Sequence, residues 1–229
     1  MGSRIRTGAA LIASGGGLPG DWTAVILAGG RARRLGGVDK ATVSINGRPL
    51  IDIVIDGLGH TAGLPAPTRI IVVGPTPADR PRPHIDVMRE DPPFGGPVAA
   101  IGAAIDAVQT SWIGIAAVDM PHTATLLARL HAAIPEFPAT GVVAADEDAR
   151  LTATAFLRTD AVRERLTELT ASGGLPGRPL RTLLELDGVV QVVFRAPDQS
   201  LLADIDSPAD LERRWDVSAP PTDQPKLTP

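Results

Sequence analysis

The chain has no cysteine and no tyrosine, and aromatic residues make up only 3% of it. Without thiols there are no disulfides, no thiolate metal sites and no cysteine nucleophile. That absence is compatible with a reducing cytoplasm, the location expected here. So few aromatic rings leave little to stack on successive bases, which argues against a single-strand nucleic-acid binder. There is no excess of basic charge either. The formal net charge of −4 gives the whole chain no electrostatic pull on nucleic acid. No apolar run approaches the length of a membrane span. His60, His84, His122 and His131 show no metal-ligand spacing, no nucleophile elbow is present, and no Ser-His-Asp ordering stands out. Neither nucleic acid nor a membrane is expected as a partner.

What is present is 44% hydrophobic content over 229 residues, which supports one α/β domain with a sizeable core. Residues 1–21 read as a flexible leader. Arg4 and Arg6 precede a short apolar patch, then Gly15, Gly16, Gly17, Pro19 and Gly20 break it, so a secretory signal is disfavoured. Residues 217–229, with Pro220, Pro221, Pro225 and Pro229, read as a disordered tail. Between them, residues 22–216 are expected to form a single domain.

Within that span apolar runs alternate with helical patterns. Strands are predicted at 24–27, 69–73, 85–88, 112–118, 141–145, 151–157 and 189–194. Helices are predicted at 49–58, 97–108, 125–134, 160–170, 179–186 and 208–214. Pro49, Pro97, Pro179 and Pro208 sit where a first helical turn tolerates proline, and Ser207 is a natural N-cap. Asn46-Gly47 marks a tight turn, and Asp146, Glu147 and Asp148 a solvated hairpin turn. Strand–helix alternation implies a mostly parallel sheet with helices on both faces, where ligands gather at the carboxyl ends of the strands. Gly29, Gly74, Asp91 and Asp119 follow four successive predicted strands and so fall on that edge.

Residues 25–40 read VILAGGRARRLGGVDK. An apolar strand empties into a loop carrying Gly29, Gly30, Gly36 and Gly37, with Arg31, Arg33, Arg34 and Lys40 among them. Glycine lets backbone N–H groups approach an anion, and the cations neutralise it, so the loop suits the triphosphate of a nucleotide. It is neither a Walker loop nor the dinucleotide fingerprint, because both spacings are absent. Asp119 closes a buried run. As a lone carboxylate it suits magnesium shared with phosphate oxygens, and equally an N-cap for the next helix. Asp91 could accept from a base edge, or the helix after it could face an anion. Its neighbour Glu90 is expected on the loop surface. Asp204 and Asp206 alternate near the C-terminus, and in a strand both would share one face. They could join a magnesium site or meet a second substrate, while Asp206 and Ser207 suit capping as well.

In order, the segments LAGGRARRLGGVDKA, NGRPL, EDPPFGGPVAAI, AAVDMP, RPLRTLLE and DIDSPADL span about residues 24–214. This set resembles the molybdenum cofactor guanylyltransferase family, a MobA-like branch of the nucleotidyltransferases. The resemblance implies a three-layer α/β sandwich with a mostly parallel, Rossmann-like twisted sheet of the nucleotide-diphospho-sugar transferase type. It also implies Mg2+-dependent transfer of GMP from GTP to the terminal phosphate of molybdopterin, with release of pyrophosphate. Molybdoenzymes or other cofactor-biosynthesis proteins would be partners. Leu27, Ala28, Gly29 and Gly30 would line the nucleotide site and Lys40 would hold the phosphates. Asp91 would contact the guanosine and Asp119 would bind magnesium. Arg34 would clamp phosphate bidentately.

Three departures stand out. Where relatives often carry a polar side chain after the second strand, Gly74 offers only backbone. Asparagines are common in relatives where Asp204 and Asp206 stand, both read here as acceptor-binding. The segment Arg150-Leu151-Thr152 lacks an expected proline. Cytidylyl transfer to the same pterin, guanylyl transfer to another phosphorylated acceptor, and a nucleotide-binding module without turnover remain the rival readings.

Overall fold

The strand β2 (Trp22–Leu27) sets the architecture, because nearly all of it is buried. Successive side chains of a strand point to opposite sides. Trp22, Ala24 and Ile26 enter one apolar cluster and Val25 enters another. A strand apolar on both faces needs cover on both, which marks the centre of a parallel sheet. The computed structural model describes residues 5–7, 21–29, 40–75, 85–134, 140–212 and 215, and it supplies that cover with helices on each side.

Among the described residues the sheet contains β1 (Ile5–Thr7), β2, β5 (Arg69–Val73), β6 (Ile85–Met88), β7 (Trp112–Ala117), β8 (Gly141–Ala145), β9 (Leu151–Arg158) and β10 (Val189–Val193). Their order across the sheet is β1-β10-β8-β9-β7-β2-β5-β6. All pairs are parallel except those of β9, which runs antiparallel to β7 and β8. The tight connection between β8 and β9 explains that reversal, since parallel neighbours need a long crossover. Asp146 Oδ1 ties the turn by accepting the N–H groups of Asp148 and Arg150 at 2.9 and 2.8 Å. A separate hairpin, β3 (Ser44–Ile45) and β4 (Arg48–Pro49), turns at Asn46 and Gly47, both with positive φ.

Two helices cover the Trp22 face: α1 (Leu50–His60) through Leu50, Val54 and Leu58, and α3 (Thr123–Ala133) through Leu126, Leu127 and Leu130. The opposite face holds α2 (Pro97–Ala104), α4 (Thr159–Ala171) and the short α5 (Arg181–Leu184). This is the expected three-layer α/β arrangement. In the centre, Trp22 meets Phe156 edge-on at 5.0 Å over Gly114. A Cβ on Gly114 would stand 2.5 Å from the Trp22 ring, so only glycine fits there.

Several boundaries differ from expectation. The helix predicted to reach residue 108 ends at Ala104 and tightens into the 3-10 turn Ile105–Ala107. Pro49 is not a first helical residue but the N-cap of α1 and the last residue of the hairpin. The helix predicted at 179–186 keeps a single turn as α5, and α6 (Pro208–Leu211) is likewise one turn. Ile5–Thr7, within the stretch expected to be a leader, pairs in parallel with Gln191–Val193 at the sheet edge.

Candidate active site

At the carboxyl ends of the central strands three connections are locked together by backbone. Ala28 N–H donates to Val73 O at 2.9 Å, Gly74 N–H to Met88 O at 3.0 Å, and Val118 N–H to Leu27 O at 3.1 Å. Leu27, Ala28 and Gly29 thus begin their loop pressed against the loop of Gly74. A Cβ on Gly74 would stand 2.6 Å from Gly29 N and 2.7 Å from the Ala28 carbonyl carbon, and its φ is +149°. That close approach is why no side chain, polar or otherwise, follows β5 here. Gly29 itself is exposed at the start of the loop. Gly30 and Arg34 lie outside the described residues, as do Arg31 and Arg33.

Lys40 opens the 3-10 turn Lys40–Thr42, which packs beneath α1. Its Nζ donates to Asp119 Oδ2 at 2.6 Å and makes a second close ion pair with Asp206 Oδ1. Asp119 therefore does not cap the helix after it; His122 holds the N-cap of α3. Ile205 N–H donates to Asp119 O at 2.9 Å, which brings the chain at 204–206 against the end of β7. That chain is not a strand. The carboxylate of Asp210 fixes it by accepting Ser207 N–H at 2.8 Å, Ser207 Oγ–H at 2.7 Å and Asp206 N–H at 3.1 Å. Asp206 thus lends its backbone to the cap and its side chain to Lys40.

The charges explain each other. Burial disfavours the Lys40 ammonium, yet hydrogen bonds and attraction from Asp119 and Asp206 outweigh it and raise its pKa above the ordinary value. Asp204 is exposed, but lost hydration pushes its carboxyl above the usual range, with Asp206 and Asp119 adding repulsion and Lys40 opposing. One cation thus holds two carboxylates together while a third stands near.

Could magnesium sit here? Two carboxylate oxygens, from Asp119 and Asp206, converge on a single cation. Mg2+ prefers oxygen ligands and is usually held by one or two carboxylates plus phosphate oxygens and waters. Among the described residues no group of three or more His, Cys, Asp or Glu could hold a metal alone. The donor set therefore fits a magnesium ion shared with phosphate, and does not fit an all-protein cage.

Asp91 is exposed on the loop after β6. Its neighbour Glu90, expected at the surface, is instead buried at 7% exposure. Oε1 of Glu90 accepts Phe94 N–H at 3.0 Å, and the carboxylate lies beside Gly29. Two faint signals in the sequence point to this, a place two residues past the strand that ends at Met88 and a Pro-Pro-x-Gly-Gly turn that folds back over it. The pairing of Asp206 with Lys40 was hidden because it joins residues 166 apart. A cleft of about 440 Å³ lined by Thr23, Thr68, Arg69, Asp86 and Thr110 lies at the opposite, amino-terminal edge, away from these groups.

Comparison with known proteins adds family and fold. A molybdenum cofactor guanylyltransferase from Vibrio cholerae is 35% identical over 103 residues, covering 45% of this chain and 49% of that protein. The chain thus spans about half the length of the curated relatives it matches. The molybdopterin-guanine dinucleotide biosynthesis protein A from Archaeoglobus fulgidus shares the fold with a TM-score of 0.56 at 20% identity, over 82% of this chain and 94% of that one. A 2-C-methyl-D-erythritol 4-phosphate cytidylyltransferase from Thermus thermophilus does so with a TM-score of 0.59 at 18% identity, covering 82% and 94%. The model of the MobA-like NTP transferase domain matches residues 24–192, and the chain belongs to that family.

Proposed function

We propose that the protein transfers GMP from GTP to the terminal phosphate of molybdopterin in a magnesium-dependent reaction, releasing pyrophosphate. The observation that carries this is Lys40 held between Asp119 and Asp206, at the carboxyl ends of the strands and beside the Gly29 loop. Family membership and the guanylyltransferase relatives support the same reading.

The reaction needs no protein nucleophile. A phosphate oxygen of the acceptor attacks the α-phosphorus of GTP, a new P–O bond forms, and the bond to the β-phosphate oxygen breaks with its electron pair leaving on pyrophosphate. The attacking oxygen is already an anion, so positioning and charge screening do the work. Two unit charges 4 Å apart repel by roughly 4 kcal/mol at an effective dielectric near 20. Lys40 opposes that repulsion. An ammonium has three donors; two reach Asp119 and Asp206, and the third suits a phosphate oxygen. Arg34, with its planar fork, is proposed as a second clamp. Leu27, Ala28, Gly29, Gly30 and Gly74 present backbone to the nucleotide, and Asp91 reaches the guanosine. Magnesium, when bound by Asp119 with Asp206 near it, supplies further neutralisation of the phosphates. Asp206 belongs with the phosphates in this arrangement, and Asp204 beside it faces the acceptor.

Pyrophosphate release from GTP and Mg2+, measured with and without molybdopterin, tests the proposal. Release only with the pterin is the expected result. Tight GTP binding without release under any acceptor would indicate a binding module instead.

A further inference from the structure

Among the described residues four buried side-chain atoms have no hydrogen-bond partner: Glu90 Oε2, His131 Nε2, Thr159 Oγ1 and Gln191 Oε1. Only Glu90 belongs to the loops at the carboxyl edge that carries Lys40, and only its orphan is a carboxyl oxygen. Buried polar groups are nearly always paired, and an unpaired carboxylate oxygen is the most costly kind to leave. Such a group persists where a ligand supplies the partner.

The surroundings of Glu90 say what kind. On one side stands Gly29, where a Cβ would come within 3.7 Å of Oε1. At Gly95 a Cβ would meet Ala99 Cβ at 2.9 Å and Pro92 O at 3.1 Å before reaching Glu90 Cγ, so that position is packed. Gly29 is exposed and carries no side chain, so its surface is the side from which a ligand group can approach the Glu90 carboxylate. Phe94, whose N–H binds Oε1, has a φ of +64° and a ring half exposed to solvent. The Arg89 guanidinium lies 5.8 Å from that ring's centroid. Glu90 therefore holds the backbone of a half-exposed aromatic residue and lies beside Gly29.

An ionised carboxylate only accepts hydrogen bonds. Its best match is a partner with two adjacent N–H groups. On the pairing edge of guanine, N1–H and the 2-amino group are adjacent donors. Adenine places an acceptor at N1, cytosine places one at N3, and uracil flanks its N–H with two carbonyls. We propose that Glu90 selects the base, accepting from N1–H and the 2-amino group of guanine as the base approaches over Gly29. This rests on the reading of the site as a nucleotide site and adds the residue that chooses guanine.

Inosine triphosphate lacks only the 2-amino group, so it isolates the contact. The dissociation constants of GTP, ITP and ATP would be measured with Mg2+ on the full chain, for wild type, Glu90→Gln and Glu90→Asp, alongside melting temperatures. Wild type is expected to prefer GTP over ITP at least tenfold, Glu90→Gln to bring that ratio near one, and Glu90→Asp, one methylene shorter, to keep part of it. A role confined to holding the Phe94 loop would weaken GTP and ITP together. An unchanged ratio in folded Glu90→Gln, or in Glu90→Asp should the first variant not fold, overturns the assignment. Wild type that binds all three nucleotides alike overturns it while leaving the nucleotide site intact. Wild type that binds none overturns both.

Discussion

Lys40 Nζ stands 2.6 Å from Asp119 Oδ2, although the two residues are 79 apart in the chain. The contact joins the loop after β2 to the end of β7, two strands that lie side by side in the sheet. Neighbouring parallel strands deliver their carboxyl ends to one edge, so the topology itself brings cation and anion together.

Lys40→Ala removes the cation that holds Asp119 and Asp206. Turnover should fall by about two to three orders of magnitude, as for removal of one preorganised charge-stabilising donor. Stability should change little, because Asp119 and Asp206 remain 23% and 45% exposed and can rehydrate. The variant also leaves two carboxylates facing each other. Mg2+ should therefore raise its melting temperature more than that of wild type, by roughly 2–4 °C for each kcal/mol gained in a chain of this size. Equal magnesium shifts in both proteins would remove Asp119 and Asp206 from the proposed metal site.

Asp119→Asn and Asp206→Asn should differ in degree. Asp119 is the less exposed of the two and is anchored at the end of a buried strand, whereas Asp206 belongs to a coil held by the cap of α6. Asp119→Asn is expected to abolish pyrophosphate release. Asp206→Asn keeps an oxygen ligand and loses one charge, so it should raise the magnesium concentration for half-maximal rate severalfold with a smaller loss of kcat. A magnesium titration of the rate in each variant decides the order.

Much of this was legible in the sequence, and the reasons are specific. The sheet strands announced themselves as short apolar runs, because β2, β7 and β8 are buried on both faces. Lys40 and Asp119, which the structure brings into contact, stand out in the sequence because each ends a loop or strand of marked composition. Glu90 was misplaced because burial depends on the Pro92–Gly96 turn closing over it, a tertiary event with no periodic signature. The pairing of Asp206 with Lys40 is equally hidden, since nothing local links the two. The departure at Gly74 has a steric cause that only the contact with Ala28 and Gly29 reveals.

Gly74→Ala should show that cause. Its Cβ would meet Gly29 N at 2.6 Å at a φ that alanine rarely adopts, so the first residues after β2 must move. Overpacking of this kind costs about 1–3 kcal/mol. The melting temperature should fall accordingly, and GTP affinity should fall with it because Gly29 is displaced. Loss of stability with unchanged GTP affinity would place the nucleotide away from Gly29.

The last prediction concerns His131, on α3 and far in function from the Lys40 cluster. Its ring packs edge-on 6.4 Å from Phe156, and Nε2 is buried without a partner. Burial penalises the imidazolium and lowers the pKa below its ordinary value of 6.5. A base depressed in the folded state binds its proton first in the unfolded chain, so stability rises with pH across that interval. The contribution is fully present above about pH 6.5 and is lost as pH falls from there through the depressed native value, below which the slope ends. His131→Leu, which cannot be protonated, should therefore gain stability relative to wild type at pH 5.5 and lose that relative gain above pH 7. Urea unfolding of both proteins across pH 5–8 measures the difference, and parallel curves for the two would mean that His131 takes up its proton in the folded state as readily as in the unfolded one.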